Sequence, residues 1–309
     1  MNNIINNIFC YEGNLYFTDI STDVIPNGVV YLIDVLGLPT ALTVPGTIVF
    51  DPDAAGAGIT TFASKPVIFN NKLFAVMEIT NNPLDIEGSV TEFTVDGTNI
   101  FNRIYFADLH TPEERPRENS LVKYLDEIMM VGVHSDPTEN PYVGFTYDGY
   151  TWIDVEIPFN FILPSVTGYS TAPFPLTKTD WLVFVEVQSS GTTPFYTFIF
   201  CTNDTGRTWQ FVGRNYSFHN AIISAKSSQQ ILYAIGRDNL TNVGQVYKSI
   251  DAGYTWLALP DDPDYDMFTY DTRTYNGLLE PIQERHIYTK TNDVNFVITP
   301  NDDSIIIFN

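Results

Sequence analysis

The chain has 309 residues, 44% of them hydrophobic and 14% aromatic, which is enough to bury a large core. It carries 37 acidic residues against 15 basic ones, a formal net charge of −22. That balance excludes recognition of nucleic acid through a basic surface and opposes contact with other polyanions.

Taken in chain order, the pattern is strand after strand. A first strand region spans Ile8 to Phe17, followed by Asp34 and Gly37 at a turn. Apolar, β-branched and aromatic runs at Lys72 to Ile79, Glu127 to Val133, Tyr142 to Phe145, Trp181 to Val187 and Phe195 to Cys201 predict further strands. So do Ile231 to Ile235, Gln245 to Lys248 and Ser304 to Phe308. No long stretch has helical periodicity. Thr111 to Lys123 is the most helix-like, but Pro112 and Pro116 interrupt it, so an exposed charged loop is expected. Ile157 to Leu176 is rich in Pro and Gly and reads as a long connection between strands.

One turn motif recurs between these strands. Thr202-Asn203-Asp204-Thr205-Gly206-Arg207-Thr208-Trp209 and Ser249-Ile250-Asp251-Ala252-Gly253-Tyr254-Thr255-Trp256 share the order hydroxyl, x, Asp, x, Gly, x, Thr, Trp. Thr146-Tyr147-Asp148-Gly149-Tyr150-Thr151-Trp152 is the same with one residue deleted before the glycine. The Asp can bond backbone N–H groups of its own turn, and the hydroxyl residue does the same more weakly. The Gly supplies a positive φ. The Thr restarts a strand, and the Trp brings a large face to bury. The aspartates stand 56 and 47 residues apart. A weaker copy, Phe93-Thr94-Val95-Asp96-Gly97-Thr98, lies 52 residues before Asp148, and Thr291-Asn292-Asp293 ends 42 residues after Asp251.

This motif resembles the Asp-box, or BNR repeat, of β-propellers, a group that includes sialidases, sortilin-like receptors, xyloglucanases, a photosystem assembly factor and viral proteins. The resemblance implies an all-β propeller of four-stranded antiparallel blades. In that family the box joins the two outer strands of a blade, away from the ligand face. Thr146, Asp148, Gly149, Thr151, Trp152, Thr202, Asp204, Gly206, Thr208, Trp209, Ser249, Asp251, Gly253, Thr255 and Trp256 are therefore expected to be structural. Repeats of about 40–50 residues suit blades. Six such units fill one domain over residues 1–309, with five or seven as the alternatives. The first and last strands are expected to complete one blade together, which would protect sheet edges.

Chemistry is harder to find. A sialidase needs an arginine triad, because guanidinium matches a carboxylate in a bidentate fork. Asn102-Arg103-Ile104-Tyr105 lacks the proline of the family's Arg-Ile-Pro string, and nothing in the sequence groups Arg103 with Arg214, Arg237, Arg273 or Arg285. Glycosidases of other kinds need two facing carboxylates. Glu78, Glu127 and Glu186 are candidates in strands or at strand ends. Asp262, Asp264 and Asp266 alternate like the start of a calcium loop, but Met267 and Arg273 stand where that loop needs Gly and Glu. His110, His134, His219 and His286 show no paired spacing, and Cys10 and Cys201 read as two free thiols. No cofactor is expected.

No apolar run is long enough to span a membrane, and Met1-Asn2-Asn3-Ile4-Ile5-Asn6-Asn7 has neither the basic region nor the apolar core of a signal peptide. These features predict a non-enzymatic platform for other proteins in an assembly. The expected setting is a virion, such as a tailed-phage tail, hub or nozzle, or the cytoplasm of the producing cell, where the acidity would suit a wall that DNA passes. A glycan-binding or glycan-hydrolysing, sialidase-like propeller is the alternative.

Overall fold

The computed structural model describes residues 4–12, 14–20, 29–33, 39–41, 59–62, 64, 66–82, 85–94, 102–105, 114–117, 120–163, 165–189, 196–215, 218–226, 231–238, 244–258, 272–275, 278–281, 286–289, 295–299 and 304–308. Every regular element among them is a β-strand, as the apolar runs predict, and the pairings are antiparallel, as the resemblance implies. By contact the chain divides into two compact units. One is Met1–Gly132 with Gly144–Asp154, and the other is Val133–Val143 with Val155–Asn309.

In the first unit Ile4–Tyr11, Asn14–Ile20, Val29–Ile33 and Pro39–Ala41 form a sheet in chain order. A second sheet places Ile59–Phe62 and Val67–Phe69 on Lys72–Asn82, followed by Asp85–Phe93 and Asn102–Tyr105. Asn70 and Asn71 close the hairpin into Lys72 with φ of 50° and 62°, the left-handed pair that a two-residue turn between twisted strands requires. Phe69, Phe74, Val76, Val90, Tyr105, Leu121, Met129 and Val131 form the core.

Thr111 to Lys123 departs from the expected exposed loop. Arg115–Pro116 and Val122–Tyr124 are short strands paired to Ile128–Ser135. Glu114, Arg117 and Ser120 are buried, Arg117 at 2% exposure. Arg117 N–H donates to Gly132 O (2.8 Å), Ser120 Oγ to Arg117 O (2.7 Å), and Gly132 N–H to Ser120 Oγ (2.9 Å). The segment's backbone joins a sheet, and the Ser120 hydroxyl bridges Arg117 O and Gly132 N–H inside it, which periodicity cannot reveal. Residues 111–113 and 118–119 lie outside the described residues.

In the second unit Val166–Pro175, Trp181–Ser189, Tyr196–Thr202 and Gln210–Asn215 run in chain order, and so do Phe218–Lys226, Leu232–Asp238, Gly244–Ser249 and Leu257–Ala258. Thr272–Tyr275 pairs with Leu278–Pro281, and His286–Thr289, Asn295–Thr299 and Ser304–Phe308 form a three-stranded sheet. The long connection expected at Ile157 to Leu176 is shorter than its composition implied, because Val166–Pro175 is a nearly continuous strand with Pro173 and Pro175 inside it. Ile4–Tyr11 pairs with Asn14–Ile20 in the first unit, and Ser304–Phe308 pairs with Asn295–Thr299 in the second.

Candidate functional site

The two ends of the strands differ in chemistry, and the repeated turn marks one of them; its Asp148 copy lies in the first unit, and its Asp204 and Asp251 copies lie in the second. Each turn joins the last two strands of its run: Tyr142–Thr146 to Trp152–Glu156, Tyr196–Thr202 to Gln210–Asn215, and Gly244–Ser249 to Leu257–Ala258. The strands flanking the Asp96 copy, Asp85–Phe93 and Asn102–Tyr105, pair in the same manner, though residues 95–100 lie outside the described residues, as do 34–38, 259–271 and 290–294.

The turn chemistry repeats atom by atom. Thr208 N–H and Oγ1 donate to Asp204 Oδ1 (2.8 Å) and Oδ2 (2.6 Å). Thr255 does the same to Asp251 (2.8 and 2.7 Å), and Thr151 to Asp148 (2.7 and 2.9 Å). The leading hydroxyls of Thr146, Thr202 and Ser249 donate to their aspartates and accept from the glycine N–H groups. Gly149, Gly206 and Gly253 have φ of 88°, 78° and 94°. The Asp148, Asp204 and Asp251 carboxylates are thus engaged by the backbone and hydroxyls of their own turns.

Those bonds hold the carboxyls below the ordinary range. The Thr151 N–H is the main cause for Asp148, and the Thr208 hydroxyl for Asp204. At Asp251 burial alone would raise the value, and the bonds from Thr255 and Ser249 outweigh it. A depressed folded value means that the unfolded chain binds more protons below its own carboxyl range near 4. Stability is therefore expected to be fully present above about pH 4 and to fall as acid approaches the lowered folded values. Urea midpoints between pH 2 and 6 check this, and Asp204→Asn should flatten the acid slope.

The opposite strand ends carry the candidate site. Trp181 is registered with Thr202 at the turn end, and Val187 with Tyr196 at the far end. Near that far end one register row crosses four strands: His134 with Ser170, Ser170 with Glu186, and Glu186 with Thr197. Paired residues share a face. Toward the turns the same face is apolar, with Ala172, Leu182, Phe184 and Ile199 packed on Leu232, Ala234 and Tyr247. The row is where that face becomes polar while still enclosed: Ser170 is 2% exposed, Glu186 4% and Thr197 fully buried.

His134 and Gln188 are half-buried beside it. Ser170 Oγ lies 2.5 Å from His134 Nδ1, and Gln188 Nε2 donates to Ser170 Oγ over 3.0 Å. Buried polar groups persist only where hydrogen bonds offset desolvation, so such a row at a strand end is the natural candidate for ligand recognition. On the opposite face Tyr169 and Phe198 pack against Phe159 at 5.0 and 4.9 Å, and burial pushes the Tyr169 phenol up. Thr171, also on that face, accepts from Val133 N–H (2.8 Å) and donates to Tyr142 O (2.7 Å). Thr171→Val should therefore lower stability by about 1–3 kcal/mol by stranding two buried backbone groups, measured by urea denaturation.

Glu127 lies in an exposed turn, and Glu78 and Arg103 are strand residues. Arg214 is exposed on the aromatic face, 5.5 Å from the Tyr196 ring and 5.7 Å from that of Phe198. Arg237 and Arg273 are strand residues, while His110, Arg285 and the Asp261 to Asp266 cluster lie outside the described residues. Of the three glutamates only Glu186 joins the row. Cys201 is a free thiol whose value burial pushes up. Among the described residues no three His, Cys, Asp or Glu side chains group to hold a metal, and no helix is long and apolar enough to cross a membrane. Sequence reading missed His134, Ser170 and Gln188. The signal for one of them was the switch from the unbroken apolar run Trp181 to Val185 to Glu186-Val187-Gln188.

No family model matches the chain, and no curated protein does. Solved structures do. An α-L-arabinanase from Penicillium chrysogenum, complexed with arabinobiose, has a TM-score of 0.56 at 10% identity, covering 99% of this chain and 93% of its own. The α-L-arabinofuranosidase of Fusarium graminearum gives 0.54 at 9% identity, covering 99% and 92%. A Hadza microbial sialidase gives 0.55 at 16% identity, covering 78% of this chain, which spans about half (54%) of that protein. The fold is an all-β β-propeller.

Proposed function

We propose that this chain is a carbohydrate-recognising β-propeller that binds its ligand at the strand ends away from the repeated turns. One observation carries the reading: the half-buried His134 and Gln188 hydrogen-bond with the enclosed Ser170, whose register partner is the buried Glu186. Such a row offers both donors and acceptors, the needs of a sugar hydroxyl. The arabinobiose complex of a protein with the same fold supports it. The row holds one carboxylate and no Lys or Arg, so neutral sugars suit it better than acidic ones. Hydrolysis uses two carboxylates, and Glu186 is the row's only one, so recognition without cleavage is the form proposed. The three repeated turns act as Asp-box staples, and residues 1–309 act as one domain.

A glycan array containing arabino-oligosaccharides, β-glucans and sialosides tests the reading. Neutral oligosaccharides should bind, and Gln188→Ala should weaken them about threefold to tenfold, the worth of one lost hydrogen bond. Binding to no glycan would end the proposal. Turnover of chromogenic arabinosides or fluorogenic sialosides would replace recognition with hydrolysis. The net charge of −22 favours a second reading, a non-enzymatic platform inside a virus particle. Mass spectrometry of purified particles tests that reading, and absence from them would end it.

A further inference from the structure

We infer that Ser170 and Gln188 are positioning residues that hold His134 in a single neutral tautomer, with Nδ1 bare and the proton on Nε2. Ser170 Oγ is 2.5 Å from Nδ1, and Gln188 Nε2 is 3.5 Å from the same nitrogen. An amide nitrogen only donates. Gln188 directs one N–H to Ser170 Oγ at 3.0 Å and the other toward Nδ1, which makes that nitrogen an acceptor and turns the hydroxyl proton toward it. Two donors thus converge on one ring nitrogen, and a proton there would oppose both.

The strand register fixes the donors in place. Ser170 is paired between His134 and Glu186, and Gln188 lies opposite Gly168. A Cβ on Gly168 would stand 3.3 Å from Gln188 Oε1 and 3.0 Å from Ser135 O, so glycine leaves the amide its room. Held this way, the half-buried imidazole carries its proton on Nε2, a donor atom. The ligand group that meets it is an acceptor oxygen, such as a sugar hydroxyl or ring oxygen. This last step rests on the carbohydrate reading; the tautomer does not.

Long-range proton–nitrogen spectra of the ¹⁵N-labelled chain near neutral pH read which nitrogen of each ring is protonated, and His134→Gln assigns the ring by loss of its signals. The wild type should show Nε2–H at His134. Ser170→Ala should give a mixture of tautomers, and Ser170→Thr should restore the single form. Affinity for the best neutral oligosaccharide should follow the same order, falling about threefold to tenfold in Ser170→Ala and recovering in Ser170→Thr. An Nδ1–H signal in the wild type, or an unchanged pattern in Ser170→Ala, would overturn the inference. If the wild type binds no glycan, the carbohydrate reading fails, and the ring signals alone still decide the tautomer.

Discussion

Trp181→Ala is expected to remove about 3–5 kcal/mol of stability, the range for deleting a large core aromatic. The side chain is fully buried at the turn end of its strand. Its indole N–H donates to Lys178 O (3.1 Å), and its ring lies 6.5 Å from that of Trp209. Truncation would leave a cavity beside Trp209 and Gly206 and strand a carbonyl that the indole now satisfies. A domain of ordinary stability has about 5–15 kcal/mol in total, so the loss is a large share of it. Urea unfolding followed by circular dichroism should show a lower midpoint with an unchanged slope. Trp181→Phe, which refills most of the space, should lose less than half as much. A shift under about 1 kcal/mol for the alanine variant would mean that the site collapses freely or that the packing is wrong.

Gly253→Ala should cost about 2–4 kcal/mol, whereas its neighbour Ala252→Gly should be neutral or slightly stabilising. Both residues have positive φ, 94° and 58°. Alanine at 253 meets two penalties. The left-handed backbone costs about 1–2 kcal/mol, and overpacking costs about 1–3 kcal/mol more. The overpacking arises because the new Cβ would overlap Leu182 Cδ2 in the apolar cluster. At 252 the penalty is already present in the native residue, and glycine relieves it at the expense of a more flexible unfolded chain. Opposite signs at adjacent positions in one denaturation series would separate the local backbone requirement from general sensitivity of the turn. Equal losses at both would refute the account.

Each repeated glycine combines the same two requirements. A Cβ on Gly206 would come within 2.5 Å of Val155 Cγ1, and one on Gly149 within 2.9 Å of Phe74 Cζ. The turn tryptophans extend the pattern: Trp152 stacks on Tyr105 at 4.6 Å, and Trp256 meets Phe184 edge-on at 5.4 Å. Sequence spacing revealed these turns because every bond they make is local. The Asp204 carboxylate, for example, closes on Thr202 and Thr208, two and four residues away. The unbroken apolar runs around Trp181 and Ile199 were legible for the same reason, since a strand's face follows from alternation alone.

The amino-acid sequence by itself determined the all-β class, the order of the strands and the turn chemistry, all of which depend on neighbours a few residues apart. Tertiary structure alone decided that Glu114 and Arg117 are enclosed, that Pro173 and Pro175 sit within a strand, and that His134, Ser170 and Gln188 meet. Ser170 and Gln188 lie 36 and 54 positions from His134, and only the register of paired strands brings the three within hydrogen-bonding reach. Register is a collective choice of many side chains packing at once, so no local pattern encodes which distant polar residues will face each other.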